Sequence, residues 1–428
     1  MSDIAFIVWG FPELTQTFIH REMVELQRRG ARLHVLAGPR RSVVGEPPEI
    51  AALAERASYL GSGPRWALRG LRWAARHPLR FLSTLLWMLA LPHRTALHRA
   101  RGAAMVLAAA AHAPEVERRG VRYLHAHFAG YPSELAMALS RLTDVPWGAS
   151  FHAVGIYRDR NLLAEKVADA RLVLTCTAHN VEHLRRIAPR QAATVRLCHH
   201  GLSLRDLPEV ERVPRGRPRW LAVGRLVPKK GFDRLIEAAA LLDARGVDFE
   251  LAIAGDGPER DALQSRIDEH WLSHRVVLLG RLSHGNALAE MARCYGLVAP
   301  SVRDREGDVD GIPNVVLEAM ALGRPVIGSQ LSGIPEVVEP GKTGLLVPPG
   351  DAGALAEAMA WLGRDRRAAR RFGLAGRARI ERDFDVRQNG ARMLTALSWA
   401  AAGGSELPRP ENSPAPRPSK LRWRSNPR

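Results

Sequence analysis

WLAVGRLVPKKGFDRLIEAAALLDARGVDFELAIAGDGPERDAL, Trp220 to Leu263, alternates short apolar runs with helical periodicity. Residues 220–223 form an apolar run too short for a helix, and a loop of Gly, Pro and Lys follows. A helix is expected to begin after Lys230, a second strand to cover 249–254, and another helix to begin after Pro258. Gly255 and Gly257 suit the sharp turn between that strand and its helix, and Pro258 suits a first helical position. Strand–helix–strand units of this spacing imply a parallel sheet covered by helices.

The same scheme continues in both directions. Downstream, strands are expected at 276–279, 297–299, 325–328 and 345–347, with helices beginning after His284, Pro313 and Asp351. Upstream, short β-branched or aromatic runs mark strands at 4–10, 32–37, 123–128, 147–152, 172–177 and 195–199. Residues 18–29 and 162–170 have helical periodicity between them. RDLPEVERVPRGRP, residues 205–218, is rich in proline and charge and reads as a linker. The expected fold is therefore α/β, with two Rossmann-like domains at 1–204 and 219–383 whose parallel sheets face across a cleft. A helix at 384–402 is expected to pack back on the first domain, and a basic tail at 403–428 to be disordered. Ligands of doubly wound sheets bind beyond the carboxyl ends of the strands, so the active site is expected in the cleft.

A chain of 428 residues, 46% of them hydrophobic, has the material for two cores. Cys176, Cys198 and Cys294 lie far apart without a CxxC pair, which argues against a disulfide framework and a structural zinc site. MSDIAFIVWGFPE has no basic residue ahead of its apolar stretch and reads as a first strand rather than a signal peptide. A cytoplasmic location is expected. The net charge of +18 favours an anionic partner. Only five basic residues are lysines, an arginine bias that codon composition also produces. No helix-turn-helix, RRM or finger pattern accompanies them, so nucleic acid is not expected.

Three features of the second half point to a nucleotide diphosphate. GRLVPKKG, Gly224 to Gly231, follows a strand and precedes a helix, so Arg225 and Lys230 can project toward a diphosphate. AGDGPER, Ala254 to Arg260, supplies a tight strand-to-helix turn, a mostly architectural device. DGIPNVVLEAMALGRPVIGS, Asp310 to Ser329, opens a helix at Pro313. The amides of Gly311, Ile312, Pro313's successor Asn314 and Val315 lie at that helix start, where the dipole favours an anion. Glu318 sits in an otherwise apolar stretch, VVLEAMAL, and a carboxylate there needs a partner or a ligand. Two ribose hydroxyls would satisfy it.

Together, GRLVPKKGFDRLIEA, AGDGPERDAL, LLGRL, DGIPNVVLEAMALGRPVIGS, SGIPEVVEPGKTGLLVPPGD and the N-terminal FPELTQTFIHREM resemble glycosyltransferase family 4, over nearly the whole chain to about residue 400. The N-terminal block is similar to its exopolysaccharide, colanic-acid-type branch. The resemblance implies the GT-B fold and retaining transfer from a nucleotide-diphosphate sugar, with no further cofactor and no metal. It implies that Arg225 and Lys230 grip the diphosphate, that Glu318 holds the ribose, and that Gly280, Arg281 and Leu282 lie beside the base. Asp310 takes the place of the first glutamate of the family's E-x7-E motif, facing the donor sugar. His152, in SFHAVGIY, matches a histidine that contacts that sugar, and Gly10 begins a loop, to Pro12, that approaches donor and acceptor. Retention is attributed in the family to front-side attack, the acceptor passing its proton to the leaving phosphate. The acceptor implied is a saccharide or a polyprenyl-linked saccharide at the inner face of the plasma membrane. Two departures stand out: Asp310 is one methylene shorter than glutamate, and Gly155 stands where aspartate is frequent in F-H-G-x-D.

Other patterns carry less. GKTG, Gly341 to Gly344, lacks the earlier glycine of a P-loop and precedes a strand. Asp308-Val309-Asp310 has the form of a metal-binding DxD, but it leads directly into GIPNVVLEAM. His125 and His127 alternate on one strand without further ligands in sequence, which favours a structural or cleft-lining role; His199 and His200 end another strand. Residues 64–101 hold Trp66, Trp73, Phe81 and Trp87 among arginines. They read as a helical pair packed on the first domain, or as a basic aromatic surface in contact with an anionic membrane. The longest apolar run, 81–92, is too short to span a bilayer. Two other classes compete: a GT-B-fold phosphorylase or epimerase, and a non-catalytic membrane-associated scaffold with a degenerate site.

Overall fold

A computed structural model describes residues 3–13, 16–41, 48–61, 65–208 and 213–404, without the side chains of residues 17 and 206. Within it the chain forms two compact units, one from residues 3–201 and 386–404, the other from 202–385. The expected tail from 405 onward and linker residues 209–212 lie outside the described residues.

Unit 1 holds seven strands: β1 (Asp3–Val8), β2 (Arg32–Ala37), β3 (Ser58–Tyr59), β4 (Tyr123–His127), β5 (Trp147–Phe151), β6 (Leu172–Thr175) and β7 (Val195–Leu197). They lie in the order β3-β2-β1-β4-β5-β6-β7, and every neighbouring pair is parallel. Six of the seven match the sequence expectation. β3 was not expected, because a two-residue edge strand is too short to carry an alternation.

Unit 2 repeats the plan with β8 (Arg219–Val223), β9 (Glu250–Ala254), β10 (Val276–Gly280), β11 (Gly296–Ala299), β12 (Val326–Ser329) and β13 (Gly344–Val347). Their order, β10-β9-β8-β11-β12-β13, is again fully parallel. Apolar clusters cover both faces of this sheet, one around Trp220, Ile253 and Phe372, the other around Leu221, Ala252 and Met320. Burial on both faces explains why the strands read as continuous apolar runs. In each sheet the strand order reverses once, between β1 and β4 and between β8 and β11. These reversals are the places where a doubly wound sheet opens a crevice at its strand ends.

Local signals behaved as their chemistry dictates, with two adjustments. The helix after β9 spans Arg260–Glu269, so Pro258 sits in the turn ahead of it rather than at its first position. The stretch expected as a helical pair contains three helices, Arg65–Arg76, Pro78–Ala90 and Ala96–Arg118, inserted between β3 and β4. Among the described residues no helix is long and apolar enough to cross a membrane.

The last helix, Val386–Ala402, packs on Thr17–Arg28 in unit 1. Two glycines admit the close approaches this needs. A Cβ on Gly201 would stand 2.2 Å from the Cα of Val386, and one on Gly390 would stand 2.4 Å from the Cγ of Glu25. Beside this crossing, the Leu202 amide donates to the Phe384 carbonyl at 2.8 Å.

Candidate active site

The switch point of unit 2 is built by the loops after β8 and β11. Gly231, at φ +65°, comes so near the second loop that a Cβ would meet the Pro300 carbonyl oxygen at 2.1 Å. The Val302 amide donates to the Lys229 carbonyl at 2.9 Å and ties the loops together. A tight turn at Pro228–Lys230 then sends two adjacent lysines to the same side. Lys229 Nζ donates to Asp308 at 2.9 Å and lies 3.5 Å from Asp310; Lys230 Nζ donates to Asp310 at 2.7 Å. Burial works against the Asp310 charge, but Lys230 and Lys229 outweigh it and hold the carboxyl below its usual range. Lys229 and Asp308 are both buried, and one Asp308 oxygen has no hydrogen-bond partner. Two cations and two anions thus neutralise each other around one crevice. Arg225 is exposed in the loop after β8.

The helix Asn314–Ala321 starts at this crevice, with Pro313 capping it in an extended conformation. Gly311, Ile312, Pro313, Asn314 and Val315 therefore line its amide-bearing end. Ile312 and Val315 pack against the same apolar cluster as Val223 from the end of β8 and Leu282 from beyond β10. Leu282 and the exposed Arg281 follow β10, the outer strand of the sheet. Glu318 is buried one turn into the helix, and its Oε1 lies 3.1 Å from Nε2 of His284. The buried carboxylate thus has a partner in a half-exposed histidine that the sequence reading had not singled out.

Unit 1 offers a different surface. Gly10 follows β1, and a Cβ there would press on Nε of Arg41 at 2.7 Å. His152 follows β5 and is buried. Its ring stacks on His127 (5.9 Å) and His200 (5.1 Å) and meets Phe18 and Phe128 edge-on at 4.9 and 4.7 Å. Burial, with neighbouring histidines, drives His127 and His152 well below the usual imidazole range. Nε2 of His152 and both ring nitrogens of His127 have no hydrogen-bond partner. His125, by contrast, bonds Ser150 at 2.9 Å. Burial also opposes a charge on His200, yet the Cys176 sulfur and the Glu22 carboxylate, 2.8 Å from Nδ1, push it up to about 10.

His152, Cys176 and His200 each offer a ligand atom, and the three atoms lie within 4.8 Å of one another. With Glu22 behind His200, this set could take a soft divalent cation only by displacing the protons that His200 and Cys176 carry. These residues come from four separate elements. Of them, sequence reasoning had singled out His152 for a role, had offered His200 only as a strand end or cleft lining, and had missed Cys176 and Glu22 as members of a cluster.

Gly155 has a packing reason. It lies in a turn against Ala129, where a Cβ would stand 2.8 Å from the Ala129 Cβ and 2.9 Å from its amide nitrogen. An aspartate there would have to displace backbone.

The profile of the "Glycosyl transferases group 1" family matches residues 205–379. A putative colanic acid biosynthesis glycosyltransferase of Salmonella typhimurium is 37% identical over 178 residues, 41% of this chain and 44% of that protein. The match thus spans less than half the length of that relative. A glycogen synthase of Mycobacterium tuberculosis is 30% identical over 302 residues, 67% of this chain and 70% of that protein. The Anabaena protein HepE, solved in complex with UDP-glucose, superposes with a TM-score of 0.66 at 18% identity, covering 93% of this chain and 100% of that one.

Proposed function

The chain belongs to the group 1 glycosyl transferases, and from that premise we propose that it moves a sugar from a nucleotide-diphosphate donor to a saccharide or lipid-linked saccharide during surface polysaccharide synthesis. The observation that carries this reading is the lysine–aspartate crevice at a helix start, with a buried carboxylate one turn further on. A diphosphate entering there would draw Lys230 from Asp310 and meet the helix amides and Arg225. Glu318 would hold the ribose, with His284 orienting it. His152 and Asp310 are the candidates for the donor sugar. The bond between the anomeric carbon and the diphosphate oxygen breaks as the acceptor oxygen bonds that carbon on the same face. The acceptor proton goes to the leaving phosphate on the same face, which retains configuration. Lysines and amides already in place for the departing charge would supply most of the stabilisation. HepE's complex with UDP-glucose supports a nucleotide-sugar donor. The relative named for colanic acid biosynthesis supports a polysaccharide product, and a lipid-linked acceptor would place the reaction at the cytoplasmic membrane face. A degenerate scaffold is the second reading. The packing at Gly155 removes one of its two sequence arguments.

Thermal unfolding with UDP, GDP and ADP tests this, alongside Glu318→Ala. A nucleotide at about 100 times its dissociation constant adds roughly 2.7 kcal/mol of stability. One base should stabilise the wild type, and Glu318→Ala should abolish the shift. If no nucleotide stabilises the wild type, the donor site is wrong.

A further inference from the structure

We propose that the outer face of the three-helix insertion in unit 1 docks on an anionic lipid bilayer, with its leucines entering the boundary between headgroups and acyl chains. This rests on the membrane-face reading above and names the surface that performs it.

Six of the 13 large apolar side chains exposed among the described residues fall between Leu68 and Leu97. Leu68 and Leu71 are each 53% exposed on helix Arg65–Arg76, whose Gly70 and Trp73 face the protein. Leu79, Leu82 and Leu86 are 82%, 52% and 58% exposed on Pro78–Ala90, whose Thr84 and Met88 are buried. Leu97 is 57% exposed on the first turn of Ala96–Arg118. The spacings i, i+3 and i+7 put each set on one helix face. These helices therefore have two apolar faces, one consumed by packing and one without a partner among the described residues. Scattered exposed leucines need no explanation, but a cluster of this kind marks an interaction surface.

Charge selects the occupant. From Arg56 to Pro114 there are nine arginines and no aspartate or glutamate. Arg65, Arg72 and Arg76 are exposed at helical spacing beside Leu68 and Leu71. Among the described residues only Arg80 of these exposed arginines meets a carboxylate, Asp144 at 2.8 Å, while Arg69 donates to the Tyr59 and Leu60 carbonyls. Leucines flanked by unopposed arginines match a negatively charged bilayer, apolar within and anionic at its surface. A protein partner would need acidic groups ringing an apolar patch, and a second copy would set arginines against arginines.

The surface also leads to the switch point. Arg101, one turn beyond Leu97, holds its guanidinium 5.6 Å over the ring of Tyr131. That ring lies 5.1 Å from Trp9, which is 40% exposed just past the end of β1. Docking by the leucines would bring this aromatic pair to the level of the headgroups, where the sugar of a lipid-linked acceptor sits.

Flotation of the full chain with vesicles tests the proposal. The wild type should bind vesicles of equal parts phosphatidylglycerol and phosphatidylcholine, bind phosphatidylcholine alone far less, and be released by salt. Replacing Leu79, Leu82 and Leu86 together by serine should weaken partitioning by about 100-fold. Arg72→Gln and Arg76→Gln should each cost about fivefold. All are exposed positions, and stabilisation by nucleotide should be unchanged in every variant, so this test separates from that of the donor site. The proposal is overturned if the wild type ignores the anionic vesicles at low salt. It is equally overturned if the triple variant floats as well as the wild type, or if the variants instead abolish a concentration-dependent dimer.

Discussion

The two switch points share one strand plan and hold opposite chemistry. In unit 2 the loops after β8 and β11 bring Lys229, Lys230, Asp308 and Asp310 into mutual ion pairing. In unit 1 the corresponding end of the sheet is packed with imidazoles, several with a ring nitrogen that has no hydrogen-bond partner. Apart from the His200–Glu22 pair, this is an uncharged, part-satisfied aromatic surface, which suits sugar hydroxyls and ring faces. A cluster of charges in balance suits a ligand that brings its own charge and trades places with an aspartate. One backbone topology thus supports two recognition modes, and the side chains at the strand ends decide which.

Acid should break the symmetry most. His20 and His112 are lowered by burial to about 4 and His125 to about 3, and His127 and His152 lie well below the usual value. When unfolded, each takes a proton near pH 6.5. Between those values the unfolded state binds more protons, so unit 1 should lose stability as pH falls from about 6.5 toward 4. The loss is about 1.4 kcal/mol per pH unit for each fully shifted histidine. His200 is shifted upward, so its contribution is intact in this window and fades only as pH rises toward about 10. The described histidines of unit 2, His270, His274 and His284, are exposed, and the Asp310 shift acts only below the usual carboxylate range. Hydrogen exchange at pH 7 and pH 5 should therefore show strands β1, β4 and β5 losing protection ahead of β8 and β11. Equal losses in both sheets would dissolve the contrast.

Charge removal should separate the two ends by function. Lys230→Ala should lower kcat/KM by about 10³ and weaken nucleotide binding with it. His152→Ala should leave nucleotide binding intact and lower turnover by only about 10- to 100-fold, as expected for a contact to the sugar alone. If both variants impair nucleotide binding alike, the division of labour is wrong.

The smallest change is the most discriminating about Asp310. Asp310→Glu adds one methylene and keeps the charge. A change in kcat/KM under about threefold means that the carboxylate needs only to reach Lys230. A loss beyond about tenfold means that the paired lysines fix its length.

Unit 2 was legible because its chemistry is local. The loop, turn and helix that carry Arg225, Lys230 and Glu318 each lie within a short run, and the apolar strands announce the sheet. Lys229 escaped because neighbouring side chains ordinarily diverge, and only the tight turn at Pro228–Lys230 makes them converge. Unit 1's cluster escaped for a different reason. Glu22, His127, His152, Cys176 and His200 meet only through the strand order, and nothing in the spacing of such residues encodes it. The same holds for His284 beside Glu318. The third inserted helix was also obscured, because its apolar stretch from Met105 to Ala113 is buried nearly all round and shows no helical alternation.

The crossing of the chain beside Gly201 and Val386 bears on how the protein is made. Unit 1 is discontinuous: its helix Val386–Ala402 is encoded after the whole of unit 2. On the ribosome, β1 to β7 emerge first but wait for that helix while some 184 residues, 202–385, are synthesised. At about 5–20 residues per second that interval lasts on the order of 10 to 40 seconds, ample for a domain to fold. Unit 2, whose two ends meet where Leu202 bonds Phe384, can close as soon as it has emerged. The second unit to be encoded is thus the first able to finish, and the seam on Thr17–Arg28 is sealed last.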